Sequence, residues 1–342
     1  MPVNYVAHHT ASRKKRLSRP NFFRWNGSVL PTVIPQVILA SIYAAMLAYV
    51  HKHYYPISVS SSLLSYISSI VGFLLVFATN SSYDRYYEGC KLWSTLKANS
   101  RNMLRYLWLF IPSTTSGRSN VPQKIEALNL IGAYLYSCKA FLRGELEEGL
   151  PLGIALRCLL PNELLDEFLQ SSGQHPINME SSASTITLRP NSMELLNSKA
   201  KDLPLEVIFT LDSKLKKLTQ SNPSRLAILD GSNYSTMAGH LNSMMAILTD
   251  LERIATSPIP IAYKLHLVHT KGIYLLALPL TLISDIGYWA VLVQAVVTFT
   301  FYGISAIGSE IENPFGHDAN DLPLDAICQE IHTEIINMAK KA

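Results

Sequence analysis

The chain is short of charge, and its first 83 residues contain no acid at all. Only 16% of the 342 residues are Asp, Glu, Lys or Arg, against about 25% in ordinary soluble domains. With a positive mean hydropathy of +0.16, that deficit points to a membrane protein with a substantial water-exposed part. Cysteine is scarce too. Cys90, Cys138, Cys158 and Cys328 lie far apart with no CxxC or Cys/His ligand spacing, which argues against both zinc and a disulfide framework. They read as buried or lipid-facing thiols. The signatures GxSxG, GxxxxGK[ST], HExxH and GxGxxG are absent, and nothing supports an enzyme. Of the ten histidines only His8/His9, His51/His53 and His266/His269 form close pairs. The last pair can share a helix face, yet it lacks the third and fourth ligands of a metal site and reads as interfacial packing. A secretory signal, with its short apolar core and small-residue cleavage site, is also missing.

What the chain has instead is uncharged length. Residues 26–50, 54–83 and 286–309 carry no charged side chain over 25, 30 and 24 positions, enough for a helix to cross a bilayer. The run 272–284 has only 13 and must borrow 259–271, which holds Lys264 and Lys271. Those lysines lie seven apart on one face, turned inward or snorkelling to the interface. The predicted organisation is a basic segment 1–25, two membrane helices within 26–83, a helical cytoplasmic region 84–258, two more membrane helices within 259–309, and an acidic loop with a C-terminal helix in 310–342. Pro31 and Pro35 stand near the start of the first span, where a helix tolerates them. The short link 51–60 makes spans one and two an antiparallel hairpin.

Basic residues cluster ahead of the first span, with the run RKKR at 13–16. A targeting peptide and nucleic-acid binding are competing readings, the latter without an aromatic platform. Topology is the preferred reading, because positive charge beside a span keeps that end cytoplasmic. Four spans then put both termini on the cytoplasmic side. In the middle region, apolar positions at spacings of three and four predict that span two continues as an amphipathic helix after Asp84. Residues 113–122 read as a loop, 123–144 as a helix, 164–170 as a short helix, and 204–251 as helical again. The polar, serine-rich stretch 171–203 reads as a flexible insertion.

The organising stretch is 54–93. Ser62, Ser65, Ser69, Phe73 and Phe77 fall on one helical face, wet at one end and aromatic at the other. A pore lined by several copies of one helix needs such a face: hydroxyls at a mouth, then an apolar constriction. Small residues packing against a neighbouring helix explain the same composition. After the last span, Asp318, Asn320 and Asp321 place oxygens in a tight loop that Pro314 and Gly316 turn. Asp321 reads as the N-cap of a helix starting at 322 or 323 and running to about 340. The other reading is a hard-cation site.

Four ordered stretches together resemble the bestrophin family, especially its bacterial, fungal and plant-type branch: WNGSVL (25–30), NSSYDRY (80–86) with KLW (91–93), ERIATSPIPIAY (252–263) and ENPFGHDANDLPL (312–324). The resemblance implies an all-α membrane protein with four transmembrane helices per subunit and a large helical cytoplasmic region. It implies a homopentamer in membrane lipid, conducting chloride or other small anions down the five-fold axis, with no nucleic acid involved. A hydrophobic neck of three rings on the second span is implied at Ser69, Phe73 and Phe77, counted back from Arg85. Ser69 departs from the family's bulky character, and Ile70 is the candidate if the helix is rotated. The family places a second, cytoplasmic constriction in the region before Glu252. No cofactor is required; in animal members a Ca²⁺ clasp follows NPFG, and its positions match Glu310, Asn313, Asp318 and Asp321, with His317 here replacing an acid. A cation-selective channel, a non-conducting membrane scaffold and a secondary transporter are the alternatives. A transporter is disfavoured because no internal repeats or broken spans around a polar site are visible.

Overall fold

A computed structural model describes residues 25, 27–56, 61–115, 118–145, 159–161, 190–219 and 229–341. Eight helices run through them: α1 (Leu30–His53), α2 (Ser61–Phe110), α3 (Val121–Leu142), α4 (Pro190–Thr219), α5 (Gly231–Thr256), α6 (Ile261–Ile286), α7 (Trp289–Glu312) and α8 (Leu324–Ala339). Strands β1 (Thr114–Thr115) and β2 (Arg118–Ser119) form a two-residue antiparallel ladder inside the expected loop. Helices α1, α2, α6 and α7 are long and apolar enough to cross a membrane. The chain divides into two compact units, Met1–Tyr87 with Pro258–Asp321 and Glu88–Ser257 with Leu322–Ala342.

The first unit holds the four apolar helices. Helix α1 starts at Leu30 with proline in its first turn and lies along α7 and α6. The inner face of α2, with Leu64, Val71 and Leu75, packs on Leu267, Tyr274, Leu275 and Leu278 of α6. Helix α7 adds half-buried Phe301, Tyr302 and Ile304 to that cluster. Lower down, α2 approaches α7 at Gly308, where an added Cβ would lie 3.7 Å from Thr79 Oγ1 and 3.8 Å from Ser82 Oγ. Gly287, with φ of 57°, turns the chain between α6 and α7. Only glycine takes that backbone without strain.

The second unit takes the rest of α2 with α3, α4, α5 and α8. Trp93, Leu96, Met103, Leu107, Tyr134 and Ile331 are among its fully buried side chains. The Tyr134 hydroxyl donates to the Met244 carbonyl at 2.9 Å, which satisfies a polar group otherwise stranded in the core. Asp325, in the first turn of α8, accepts Lys139 Nζ at 2.9 Å and Arg143 Nη1 at 2.7 Å. Arg101 pairs with Glu330 at 2.7 Å. Cys138 and Cys328 are buried here, and burial pushes the Cys328 thiol up to about 12.

Three expectations change. The stretch expected as a flexible insertion, 171–203, falls outside the described residues up to 189, but 190–203 is helical and runs through Pro204 into α4. The stretch 204–251, expected to be helical, holds the end of α4 and a fresh start at α5, where Asp230 accepts the Ser232 N–H at 3.1 Å. The segment 310–342 divides: its loop belongs to the membrane unit and α8 to the other. The short helix expected at 164–170 lies outside the described residues.

Candidate functional site

The face of α2 turned away from α6 and α7 is the one the sequence singled out. Ser62, Ser65, Ser69, Phe73 and Phe77 are all exposed, Phe73 at 67% and Phe77 at 63%. Ile70 is exposed as well, so the alternative ring position lies on the same broad arc. The reason is simple periodicity. With Leu64, Val71 and Leu75 committed to the core, residues about half a turn away must point outward. An aromatic pair left unpacked within its own subunit is a surface awaiting lipid or another copy of the helix.

The serine end is less wet than its hydroxyls suggest. Ser69 Oγ donates to the Ser65 carbonyl at 3.3 Å, and Ser68 Oγ reaches the same oxygen at 2.8 Å. Likewise Ser81 Oγ donates to the Phe77 carbonyl at 3.0 Å. With their protons turned onto the helix, these hydroxyls offer lone pairs outward rather than donors. Past the phenylalanines, Tyr83 and Tyr87 stack with ring centroids 6.3 Å apart, and Asp84 is exposed beside them.

The end of α2 in this unit is pinned to the chain after α7. Arg85 Nε donates to the Glu312 carbonyl at 3.3 Å, and the Tyr86 hydroxyl donates to the Asn320 carbonyl at 3.2 Å. Glu312 is the hub that the sequence did not reveal. Its side chain pairs with Lys264 at 2.6 Å and accepts the Ile259 N–H at 3.1 Å. The two lysines of α6 therefore have separate fates: Lys264 sits at an ion pair, while Lys271 is buried with Nζ 4.1 Å from the Tyr302 ring centroid. A charge inside an apolar run was the only signal of either role.

The loop that follows is organised by its own donors. Asp321 Oδ2 accepts the Asp318 N–H at 2.7 Å. The same oxygen would lie 2.7 Å from a Cβ on Gly316, so the close approach requires glycine there. Asn320 Nδ2 donates to Glu310 Oε1 at 2.8 Å and to the Gly27 carbonyl at 3.2 Å. Asn313 Oδ1 accepts the Phe315 N–H at 3.4 Å and helps seat the fully buried Phe315 ring. Asp321 is not the N-cap expected of it. Helix α8 starts at Leu324 after Pro323, without a side-chain cap, because the Asp321 carboxylate is spent within the loop.

The calcium clasp that the resemblance implies would draw on the carbonyls of Glu310 and Asn313 and the carboxylates of Asp318 and Asp321. Among the described residues no three His, Cys, Asp or Glu side chains gather to hold a metal ion, and Ca²⁺ takes six to eight oxygens. Carboxylate oxygens of Glu310 and Asp321 already accept N–H donors. His266 and His269 are both exposed and belong to no such group.

Comparison with known proteins places this architecture. Residues 9–337 match a family model described as bacterial/fungal bestrophin protein. A Nostoc protein named as a voltage-dependent anion channel-forming protein is 33% identical over 314 residues, covering 92% of this chain and 89% of its own. A Synechocystis protein of the same designation is 30% identical, covering 97% and 95%. Among solved structures, a point-substituted bacterial bestrophin homolog from Klebsiella pneumoniae aligns with a TM-score of 0.70 at 24% identity. That alignment covers 91% of this chain and 99% of the other, a likeness of fold.

Proposed function

Because the chain belongs to the bacterial/fungal bestrophin family, we propose that it is the subunit of a homopentameric channel in membrane lipid that passes chloride and other small anions. The observation that carries this reading is the outward face of α2. Among the described residues Phe73 and Phe77 join no buried core cluster, and they lie on an uncharged span. Five copies about an axis would bring these rings together as an apolar neck, with Ser69 as a smaller and wetter ring beyond them. Such a neck selects by the cost of stripping water rather than by fixed charge. Weakly hydrated monovalent anions pass it most readily, and aromatic ring edges, which are electropositive, favour that sign. The Nostoc and Synechocystis relatives carry anion-channel designations, which supports the same choice.

Conduction in this reading is passive and needs no bound cofactor, and the protein is not an enzyme. Both termini lie on the cytoplasmic side, as the even number of spans and the basic run at 13–16 imply.

Cation selectivity is the second reading, favoured by two observations: hydroxyl lone pairs, not donors, face outward at Ser69, and Asp84 is exposed near the end of the stripe. Purified protein in planar bilayers under a potassium chloride gradient separates these readings. A reversal potential near the chloride equilibrium value supports anion conduction; one near the potassium value establishes the alternative. Silence across many reconstitutions would leave a non-conducting scaffold. Native mass measurement tests the pentamer.

A further inference from the structure

Lys271 is 3% exposed within the third span, where an unanswered charge is costly. Among the described residues its ammonium meets only the face of Tyr302. A cation–π contact recovers less than burying an ammonium costs. Lys271 also lines a cavity of about 630 Å³ beside α1, α6 and α7. Glu310 and Asp318 line it as well, with the hydroxyls of Ser305 and Ser309. One chamber thus carries an ammonium and two carboxylates. It stands beside the first turns of α1 and the last turns of α7.

A second cavity of about 500 Å³ shares Gln36 and Tyr302 with the first. Its other walls are greasy, among them Leu39, Met46, Leu275 and Leu276. Gln36 Oε1 and Gln294 Oε1, both on its lining, are buried acceptors with no partner among the described residues. A polar chamber therefore adjoins an apolar groove at Gln36 and Tyr302, and both hold groups unanswered among the described residues.

We propose that the two cavities form one site for a membrane phospholipid whose headgroup bears a primary amine. The phosphate meets Lys271, the amine donates to Glu310 and Asp318, and one acyl chain lies in the groove beside Leu39 and Leu276. Charge complementarity selects the occupant. A purely anionic headgroup meets two carboxylates, and a trimethylated amine has no N–H to give them. The site is separate from the outward face of α2, and its test does not involve conduction.

Native mass spectrometry of the detergent-purified protein, titrated with dioleoyl phosphatidylethanolamine, tests this. Bound lipid is expected to weaken about ten-fold in Lys271→Met and in Gly272→Leu. Gly272 lines the groove, and a Cβ there meets no atom within 4 Å, so this variant fills the groove without disturbing the fold and decides the matter if Lys271→Met does not fold. Dioleoyl phosphatidylcholine should bind more weakly, and inorganic phosphate should not displace the lipid. Unchanged binding in both variants, equal binding of the choline lipid, or displacement by phosphate alone would overturn the proposal.

Discussion

Lys264 Nζ lies 2.6 Å from Glu312 Oε2, while Glu312 Oε1 accepts the Ile259 N–H at 3.1 Å. The two partners are unequal. The Lys264 side chain is 45% exposed and that of Glu312 only 12%. Removing the lysine loses a partly solvated ion pair, worth less than about 1 kcal/mol. Removing the carboxylate strands a half-buried N–H as well, at about 1–3 kcal/mol. Denaturant unfolding in detergent should therefore show Glu312→Ala clearly less stable than Lys264→Ala. Equal losses would mean that the ion pair alone matters.

Phe73→Ala and Phe77→Ala should each raise single-channel conductance by at least about two-fold, since a wider, wetter ring lowers the dehydration barrier. Neither should unfold the protein, because both rings are exposed in the subunit. Ser69→Ala should leave conductance nearly unchanged, as its hydroxyl proton is already turned onto the Ser65 carbonyl. If both phenylalanine variants conduct like the parent, the neck is elsewhere.

Gly316→Ala should loosen the loop after α7 at a cost of about 1–3 kcal/mol. The new Cβ would meet Asp321 Oδ2 at 2.7 Å and break its bond to the Asp318 N–H. Asp321→Ala should reproduce much of that loss. Calcium, added from micromolar to millimolar, should leave currents unchanged in the parent and in Asp318→Ala alike. A response abolished by Asp318→Ala would restore the clasp.

Acid should loosen α8. Burial pushes the Asp325 carboxyl up, but hydrogen bonds from Lys139 and Arg143 outweigh it and hold the group below the usual carboxylate range. Glu330 is lowered in the same way by Lys97 and Arg101. A carboxyl lowered by folding contributes stability that is present above its unfolded value and lost as pH falls through the folded one. The melting temperature should hold at neutral pH and fall below about pH 4. Asp325→Asn with Glu330→Gln should be less stable at neutral pH and flatter in acid; an unchanged acid limb would show that other groups govern it.

Much of this was legible in advance. Uncharged runs marked three spans outright and half of the remaining one, because a bilayer tolerates little else, and the three-and-four spacing located the exposed stripe of α2 before any packing was known. Less legible was everything that depends on a partner distant in the chain. Lys264 and Lys271 look alike in sequence, seven residues apart on one helix. Asp321 has the residue type of an N-cap and the position of one, yet a backbone N–H three residues earlier claims its carboxylate.

The amino-acid sequence by itself determined the membrane class, the four spans, the family and the serine–phenylalanine face, since each follows from local periodicity, charge and short motifs. Tertiary structure alone decided that Glu312, at the end of α7, meets Arg85 of α2 and Lys264 of α6, that the acidic loop closes on its own N–H groups, and that Lys271 is buried beside a cavity. Those outcomes depend on which groups meet once the chain is folded, some of them distant, as the Arg85 side chain and the Glu312 carbonyl are at a separation of 227. Distance-dependent hydrogen bonding and burial settle them, and neither is written in local spacing.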